Sequence, residues 1–187
     1  MKQIIPFAHD YLKSSVQQGE IVVDATLGNG HDSLLLSELV GENGRVIAFD
    51  IQEEAIETSK ALFKSHGKTN IHCFLKGHEQ AEKALTELNV KEIGGAIFNL
   101  GYLPNSNHEI TTEGKTTIAA FEQLFKRLKR KRYIVFVVYP GHAEGEREKN
   151  ELLSYFKQFP SSTADIITYQ LVNRSDKAPF VVAVYKK

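Results

Sequence analysis

The stretch IVVDATLGNGHD, residues 21–32, decides the fold, because it combines a strand, a turn and the beginning of a helix. Its β-branched run, residues 21–23, is typical of a strand buried in a parallel sheet, and Asp24 ends that strand. The segment GNG, residues 28–30, permits a tight turn with positive φ. The helix predicted over residues 32–40 directs its free N–H groups back into the turn. This arrangement presents a nucleotide-like ligand at the carboxyl ends of the strands.

The turn departs from the dinucleotide fingerprint G-x-G-x-x-G, because Gly28 and Gly30 are followed by Ser33 in the third position. Asp24 and Asp32 also bring two carboxylates to the place that a pyrophosphate would occupy. Since anions repel each other, a cationic ligand with an amino-acid tail and an adenosine fits this turn better. S-adenosylmethionine is such a ligand. The alternative is a strand–turn–helix that contains these residues without binding a ligand.

Composition favours one domain and a reducing compartment. The chain has 187 residues, 42% of them hydrophobic, so we predict a single domain over residues 1–187. Lys plus Arg and Asp plus Glu both total 23, so RNA contacts would depend on local patches. The single cysteine, Cys73, cannot form an internal disulfide and is expected to be a small buried residue. Neither a signal peptide nor an apolar segment of about 18 residues is present, so we predict a cytoplasmic protein without membrane contact.

Hydrophobic patterns along the rest of the chain predict an α/β sheet with helices on both faces. The leading helix, residues 4–17, either covers the ligand pocket or packs against the sheet edge. Two β-rich runs, residues 164–172 and 179–185, are joined by NRSDKA and predict a terminal hairpin. Further strands are predicted at RVIAFD, IHCFL, AIFNL and YIVFVV, and further helices at residues 53–65, at residues 80–88 and around Phe121 and Leu152.

Polar residues follow the second and third predicted strands. Asp50 ends RVIAFD about 20 residues after Gly30, close to the position where an acidic residue binds ribose hydroxyls in nucleotide-binding units. We therefore predict that Asp50 contacts the ligand. The segment GHE, residues 77–79, follows the third strand, in a loop that lies beside the adenine in such folds. His78 either packs against this base or is a solvated loop residue.

The loop after the fourth strand indicates chemistry on an amino group. Asn99 and Tyr102 have the spacing of the (Asp/Asn)-Pro-Pro-Tyr loop of methyltransferases that act on amino groups, with Leu100 and Gly101 in place of the prolines. In that loop the amide and nearby carbonyls accept hydrogen bonds from the target nitrogen. We predict that Asn99 and the carbonyl of Leu100 hold the reacting nitrogen and that Tyr102 packs against the substrate base. The alternative is a polar turn that closes a strand.

Basic residues occur in two contexts. The run KRLKRKR, residues 126–132, is either an RNA-facing patch or a set of cations at a helix C-terminus, where cations are favoured. The polar residues 105–115 are expected to form a mobile surface loop that contacts the substrate. If the substrate is RNA, its phosphates are predicted to be bound by Lys115, Arg147, Arg174 and Lys177.

Several strings together resemble the small bacterial MnmM/YtqB-type methyltransferases, a family long described as rRNA methylases: IVVDATLGNG, AFDIQ, GHE, AIFNLGYLP, YPGHAEGEREKNELL and NRSDKAPF. The resemblance covers essentially the whole chain. It implies a Rossmann-like class I methyltransferase with a seven-stranded, mostly parallel sheet and an antiparallel final strand. It also implies methyl transfer from S-adenosylmethionine to 5-aminomethyl-2-thiouridine at the wobble position (U34) of tRNA, giving the 5-methylaminomethyl form. One departure is that family members usually follow Leu-Pro with glycine, aspartate and lysine, where this chain has residues 105–108, NSNH.

Carried onto this chain, the resemblance implies methyl-donor contacts from Asn29, Asp32, Asp50, Gln52, His78 and Glu79. The turn and the strand ends add Asp24, Thr26, Gly28, Ile51, Asn99 and Leu100. The acceptor is an alkylamine, and such amines have a pKa of ~10, so the site must bind the neutral form or accept a proton. We predict His142 as the proton acceptor, because histidine titrates near neutral pH and this one follows the fifth strand.

Other functions stay open at this point. They are methylation of a ribosomal RNA base, a nicotinamide-dependent oxidoreductase, and an RNA-binding module with an inactive donor site. The missing third glycine and Asp24 disfavour the oxidoreductase. As partners we predict the anticodon stem-loop of tRNA and no metal, and we consider a homodimer, because a small neutral domain offers limited surface for RNA.

Overall fold

The computed structural model describes residues 2–101 and 112–187. No helix in these two ranges is long and apolar enough to cross a membrane. Each predicted helix and strand is present, and a short 3-10 turn, His78–Gln80, precedes the fourth helix. The elements are α1 (Ile4–Ser15), β1 (Ile21–Asp24), α2 (His31–Val40), β2 (Arg45–Asp50), α3 (Glu53–Ser65), β3 (Ile71–Leu75), α4 (Ala81–Glu87), β4 (Gly95–Leu100), α5 (Gly114–Arg127), β5 (Tyr133–Val138), α6 (Ala143–Lys157), β6 (Ala164–Tyr169) and β7 (Phe180–Lys186).

The seven strands form one sheet in the order β3-β2-β1-β4-β5-β7-β6. Strands β1 to β5 are parallel, whereas β7 runs antiparallel to β5 and β6 runs antiparallel to β7. The predicted mostly parallel sheet, its antiparallel final strand and the terminal hairpin are therefore confirmed. The strand order reverses between β1 and β4, and in open α/β sheets ligands bind at the carboxyl ends of the strands at such a point.

The sheet is apolar on both faces because successive residues of a strand point to opposite sides. Val23 and Phe98 lie in the cluster that includes residues of α4, α5 and α6. Their chain neighbours Val22 and Ile97 pack on the other face with α1 and α2. The helices therefore cover both faces and leave the carboxyl ends of the strands as the open edge.

Three of the six cations in the basic run, residues 126–132, form ion pairs within the fold. Arg127 pairs with Glu82 at 2.6 Å, and Lys129 and Arg132 pair with the buried Glu20 at 3.0 and 2.9 Å. Burial raises the pKa of Glu20, but hydrogen bonds from Arg132, the Gln17 N–H and Lys129 outweigh burial and leave it below its usual value. Glu20 precedes β1 and Arg132 precedes β5, so the two pairs of Glu20 lie at the amino ends of the strands, away from the open edge.

Cys73 lies in β3 and is half-buried. Burial raises the pKa of its thiol to about 11. The thiol is therefore protonated near neutral pH, and it packs against the small apolar cluster of Ile56 and Phe63 under α3. This agrees with the apolar role expected from the sequence.

Candidate functional site

A cavity of about 910 Å³ opens at the carboxyl ends of the parallel strands. Its size is in the range of small-molecule sites. Segments that follow β1 to β5 contribute to its wall, together with α1, the start of α5 and the connection between β6 and β7. Ten of the predicted donor contacts line it: Thr26, Gly28, Asn29, Asp32, Asp50, Ile51, Gln52, His78, Glu79 and Asn99.

The leading helix lines the ligand pocket, as considered, but it packs on a face of the sheet and not against the sheet edge. α1 packs on β5 and β7 through the apolar cluster of Ala8 and Leu12. Its side chains Ile5 and His9 also line the cavity. The helix therefore covers part of the open edge while its apolar side is held on the sheet.

The glycine turn is tied to the end of β2. Gly28 and Gly30 have φ of 49° and 81°, which glycine adopts without strain. A Cβ on Gly30 would lie 2.8 Å from Oγ of Ser59, so α3 also requires glycine at this position. The Gly28 N–H donates to Asp50 at 2.9 Å, and the Gln52 N–H donates to the other oxygen of Asp50 at 2.9 Å. The turn and the carboxylate thus form one rigid wall of the cavity.

The structure corrects the prediction for Asp24. Its carboxylate is fully buried behind the turn, where it accepts hydrogen bonds from the Thr26 N–H at 3.1 Å and the Ser33 hydroxyl at 2.6 Å. Burial, together with the nearby charges of Asp32 and Asp50, raises the pKa of Asp24 to about 7. Asp24 therefore stabilises the turn from its buried side. Ser33, which stands where the dinucleotide fingerprint has its third glycine, donates a hydrogen bond to Asp24.

His78 is oriented by a backbone carbonyl. Its Nδ1 lies 3.0 Å from the carbonyl oxygen of Ala25, and its ring packs edge-on against Phe98. A carbonyl only accepts hydrogen bonds, so Nδ1 carries the proton and Nε2 of the neutral ring is an acceptor. Burial lowers the pKa of this imidazole, which favours the neutral form. Nε2 is buried and has no hydrogen-bond partner among the described residues, although His78 lines the cavity.

Asn99 is held by two hydrogen bonds at the end of β4. Its backbone N–H donates to the Thr26 hydroxyl at 2.6 Å, which ties β4 to the turn after β1. Its side-chain Nδ2 donates to Oδ2 of Asp32, and Oδ1 of Asp32 lies 2.6 Å from Nε2 of His9. Since Nδ2 is engaged with Asp32, the amide oxygen of Asn99 is the atom left to accept a hydrogen bond from a ligand.

The structure corrects the prediction for Leu100 and leaves the one for His142 untested. The carbonyl of Leu100 accepts the Tyr139 N–H at 3.2 Å, and the side chain of Leu100 is buried, so this residue belongs to the core and not to the cavity. His142 lines the cavity, but its Nδ1 accepts the Gly145 N–H at 3.1 Å as the N-cap of α6. The same Nδ1 lies 3.4 Å from a carboxylate oxygen of Glu144, so the two contacts favour opposite tautomers and the role of His142 as proton acceptor stays a prediction.

Some predicted residues lie at the rim of the cavity or outside the described residues. Lys177 is exposed and lines the cavity. Arg174, in the same connection, is exposed, as are Lys115 near the start of α5 and Arg147 in α6. Tyr102 and the loop residues 105–111 lie outside the described ranges.

The sequence reasoning missed His9, Tyr139 and Lys76, which also line the cavity. Tyr139 directly follows β5, so its place at a strand end was a usable signal. Lys76 had the same signal after β3. His9 had a weaker signal, since the sequence of an amphipathic helix does not show which residue of another element its histidine contacts.

The charge of the site favours cationic and hydrogen-bond-donating ligands. The carboxylates of Asp32, Asp50 and Glu79 line the cavity. Carboxylates accept hydrogen bonds from ammonium and hydroxyl groups and repel phosphate. Within residues 2–101 and 112–187 there is no group of three or more His, Cys, Asp or Glu side chains that is suited to hold a metal ion.

Comparisons with known proteins converge on methyltransferases. A family model described as "Putative rRNA methylase" matches residues 46–185. A model described as protein-L-isoaspartate(D-aspartate) O-methyltransferase matches residues 2–81, less than half of the chain. A relative from Arabidopsis thaliana, named "tRNA (mnm(5)s(2)U34)-methyltransferase, chloroplastic", is 33% identical over 195 residues, which cover 100% of this chain and 70% of the relative.

Solved structures agree with these sequence matches. A "putative rRNA-methylase" from Clostridium thermocellum has a TM-score of 0.95 and 33% identity, with coverage of 100% of this chain and 99% of that chain. A "putative methyltransferase" from Streptococcus mutans, solved in complex with SAH, has a TM-score of 0.90 and 31% identity, with the same coverage. The Rossmann-like fold expected from the sequence is therefore shared with solved methyltransferases.

Proposed function

The chain belongs to the family described as "Putative rRNA methylase", and from this premise we propose that it methylates the 5-aminomethyl group of 5-aminomethyl-2-thiouridine at the wobble position of tRNA. It is an S-adenosylmethionine-dependent RNA methyltransferase, as predicted. The oxidoreductase alternative is wrong, because the matches to methyltransferases cover the whole chain. The choice of tRNA rests on the name of the Arabidopsis relative. The choice of an amine rests on one observation, the Asn99 amide that Asp32 holds at the end of β4.

The cavity fits the methyl donor at its adenosine end. Nε2 of His78 is a buried acceptor without a partner among the described residues, and the adenine amino group is a hydrogen-bond donor. Asp50 uses one lone pair on each oxygen for the backbone, so further lone pairs remain for the ribose hydroxyls. A buried acceptor and a carboxylate on adjacent walls are what an adenosine requires.

Negative charge marks the other end of the cavity. Asp32 lies in the first turn of α2 beside Asn29 and Gly30, where the methionine part of the donor would meet both a carboxylate and backbone groups of the turn. When bound, S-adenosylmethionine would supply an electrophilic methyl group; the nitrogen of a neutral amine would attack its carbon in line as the carbon–sulfur bond breaks and S-adenosylhomocysteine leaves. Asp32 attracts cations to this end.

Asn99 is proposed to orient the nucleophile. Its amide oxygen accepts an N–H of the substrate amine and so directs the nitrogen lone pair along the line of transfer. Because the sulfonium is already an excellent leaving group, such positioning supplies most of the acceleration. Over the whole reaction the ammonium substrate gains a methyl group, and one proton is released to solvent for each methyl transferred.

The RNA substrate is proposed to be the anticodon stem-loop. Lys177 lies at the cavity mouth, and Lys115 belongs to the first turn of α5, whose neighbours Glu113 and Thr116 line the cavity. Arg147 in α6 and Arg174 in the connection between β6 and β7 are exposed and are proposed as further phosphate contacts. They can bind phosphates on either side of a nucleotide whose base enters the cavity.

Other properties stay proposals as well. We treat residues 1–187 as one domain, since the seven strands belong to one sheet. A cytoplasmic location would bring the chain to its tRNA. The homodimer stays a prediction that sedimentation equilibrium tests.

The test uses purified protein, S-adenosylmethionine and two tRNA preparations, one with the 5-aminomethyl group and one without it. We expect methyl transfer only to the first, read by mass spectrometry of nucleosides. Asn99→Ala should lower turnover by about 100-fold while calorimetry shows nearly unchanged donor affinity, because it removes an oriented group at the reacting centre. Asn150→Ala, an exposed change in α6, is the control.

A second candidate substrate follows from the family description, which refers to rRNA. The same assay includes ribosomal RNA from cells that lack the protein. Methylation of that RNA and not of tRNA would replace the proposal with this candidate. Full activity of Asn99→Ala would remove Asn99 from the reacting centre.

A further inference from the structure

His9 connects α1 to the proposed reacting centre. Its Nε2 lies 2.6 Å from Oδ1 of Asp32, and the two side chains are only 17% and 13% exposed. The second oxygen of Asp32, Oδ2, accepts the hydrogen bond from Nδ2 of Asn99. Three side chains from α1, α2 and β4 thus form one continuous hydrogen-bonded chain.

Asp32, the middle residue of this series of hydrogen bonds, decides which groups in it donate and which accept. A carboxylate only accepts hydrogen bonds, so Nε2 of His9 carries a hydrogen in either charge state of the ring, and Asn99 presents its NH₂ group to Asp32. The oxygen and nitrogen of an amide have nearly the same shape, so packing does not distinguish the two orientations. Hydrogen bonding to Asp32 is what directs the oxygen of Asn99 away from Asp32.

Asp32 itself needs a second contact to hold this orientation. A carboxylate bonded by one partner rotates about its χ2 angle, which is a broad torsion. His9 binds the other oxygen, and the two bonds together fix the carboxylate plane. Within residues 2–101 and 112–187, the charge of Asp32 raises the pKa values of Asp24 and Tyr139, but no hydrogen bond joins either residue to Asp32.

We propose that His9 is a positioning residue, which fixes Asp32 and through it turns the amide oxygen of Asn99 toward the substrate amine. This inference rests on the proposed function, because it assigns a purpose to the orientation of Asn99. Without His9 the carboxylate rotates, and the amide of Asn99 samples the flipped orientation. In that orientation its NH₂ group faces the amine, which then lacks an acceptor for its N–H.

The test compares His9→Ala with His9→Gln. The side-chain NH₂ of glutamine reaches about as far as Nε2 of histidine and donates a hydrogen bond, but it cannot take up a proton. At saturating donor and tRNA, we expect His9→Ala to slow single-turnover methylation by about 10-fold or more, as the loss of a positioning contact does. His9→Gln should recover most of the rate. Lys13→Ala, an exposed change in the same helix, is the control.

Three results of these kinetic and binding measurements would overturn the inference. If His9→Gln is as slow as His9→Ala, the imidazole itself is required and His9 does more than donate a hydrogen bond. If His9→Ala raises the donor dissociation constant and leaves the single-turnover rate unchanged, the residue serves donor binding alone. If the losses of His9→Ala and Asn99→Ala multiply in the double variant, the two residues act independently, whereas a shared pathway predicts a double variant no slower than Asn99→Ala.

A readout without RNA separates this inference from the proposed function. We expect the side-chain amide resonances of Asn99, measured by ¹⁵N–¹H NMR, to move in His9→Ala and to return toward the wild-type position in His9→Gln. If the wild-type protein does not methylate 5-aminomethyl tRNA, the proposed function fails, and the NMR experiment still decides whether His9 orients Asn99. Unmoved Asn99 resonances in His9→Ala contradict the positioning role even where methylation is observed.

Discussion

The backbone N–H of Gly28 donates to the carboxylate of Asp50 at 2.9 Å, so the end of β2 holds the turn that follows β1. The other oxygen of Asp50 accepts the Gln52 N–H at the start of α3. The sequence indicated only a ligand contact for this residue. In the structure it is also the link that keeps the turn in its conformation, so one side chain shapes two walls of the cavity.

We expect Asp50→Ala to weaken donor binding by about 10-fold or more, because it removes an acceptor for the ribose and the bond to Gly28 together. Asp50→Asn, which keeps one acceptor oxygen, should have an intermediate effect. Calorimetric titration with S-adenosylmethionine measures both. Glu53→Ala, at an exposed position in the first turn of α3, serves as the control. Wild-type affinity in Asp50→Ala would exclude Asp50 from the donor site.

His78 should discriminate between adenine and hypoxanthine. Its Nε2 accepts from an amino group but not from the carbonyl that replaces it in S-inosylhomocysteine. We expect the wild-type protein to bind S-adenosylhomocysteine about 5-fold or more tightly than this analogue, and His78→Phe to lose the preference, since one hydrogen bond is worth about 1 kcal/mol. The ratio of the two dissociation constants is the quantity to measure, because it cancels any general effect on the fold. A preference that survives in His78→Phe would place the adenine elsewhere.

Asp24 should make the stability of the fold depend on pH. Burial raises its pKa from 3.8 to about 7 in the folded protein. Between these pH values the folded protein keeps a proton that the unfolded chain has released, so this residue's contribution to stability falls as pH rises toward about 7 and then levels off. Asp24→Asn has no such titration. The free energy of unfolding of the wild type, relative to the variant, should therefore decrease from about pH 5 to about pH 8.

Urea unfolding at both pH values measures this difference. Asp165→Asn, an exposed change in β6, is the control. A wild-type-to-Asp24→Asn difference that is constant over this range would mean that Asp24 titrates normally in the folded protein.

Lys177 should contribute to RNA affinity through phosphate. It is exposed at the cavity mouth, so Lys177→Gln should weaken tRNA binding and reduce the slope of log K against log salt concentration by about one. Lys64→Gln is the matched control, since Lys64 is exposed at the C-terminal end of α3, away from the open edge. Filter binding over a range of salt concentrations measures both slopes. Equal slopes for the two variants would argue against a phosphate contact at Lys177.

Sequence periodicity was sufficient for the elements and their order. Apolar runs such as RVIAFD and YIVFVV report burial on both faces of a sheet, and the glycine turn marks the strand whose carboxyl end opens the cavity. The rule that ligands bind at these ends then indicated the region of the site, including Asp50, His78 and Asn99. These inferences depend on patterns among residues close together in the chain, and such patterns can be read directly from the sequence.

Asp24, Leu100 and His142 show what local sequence patterns do not predict. Each follows or ends a strand, as do the residues that line the cavity, but direction and hydrogen bonding decide which atoms face a ligand. Asp24 points behind the turn to Ser33, and His142 uses Nδ1 to cap α6. A position at the end of a strand predicts that a residue lies near the site, but it does not predict the direction of its side chain.

The sequence by itself determined the alternation of strands and helices, the glycine turn and the edge of the sheet at which chemistry takes place, because these follow from the periodicity and backbone preferences of neighbouring residues. Only the tertiary structure decided that His9, Asp32 and Asn99 form one hydrogen-bonded chain. These residues come from three elements distant in sequence, and the polarity of their contacts depends on which donor meets which acceptor after the helices have packed on the sheet.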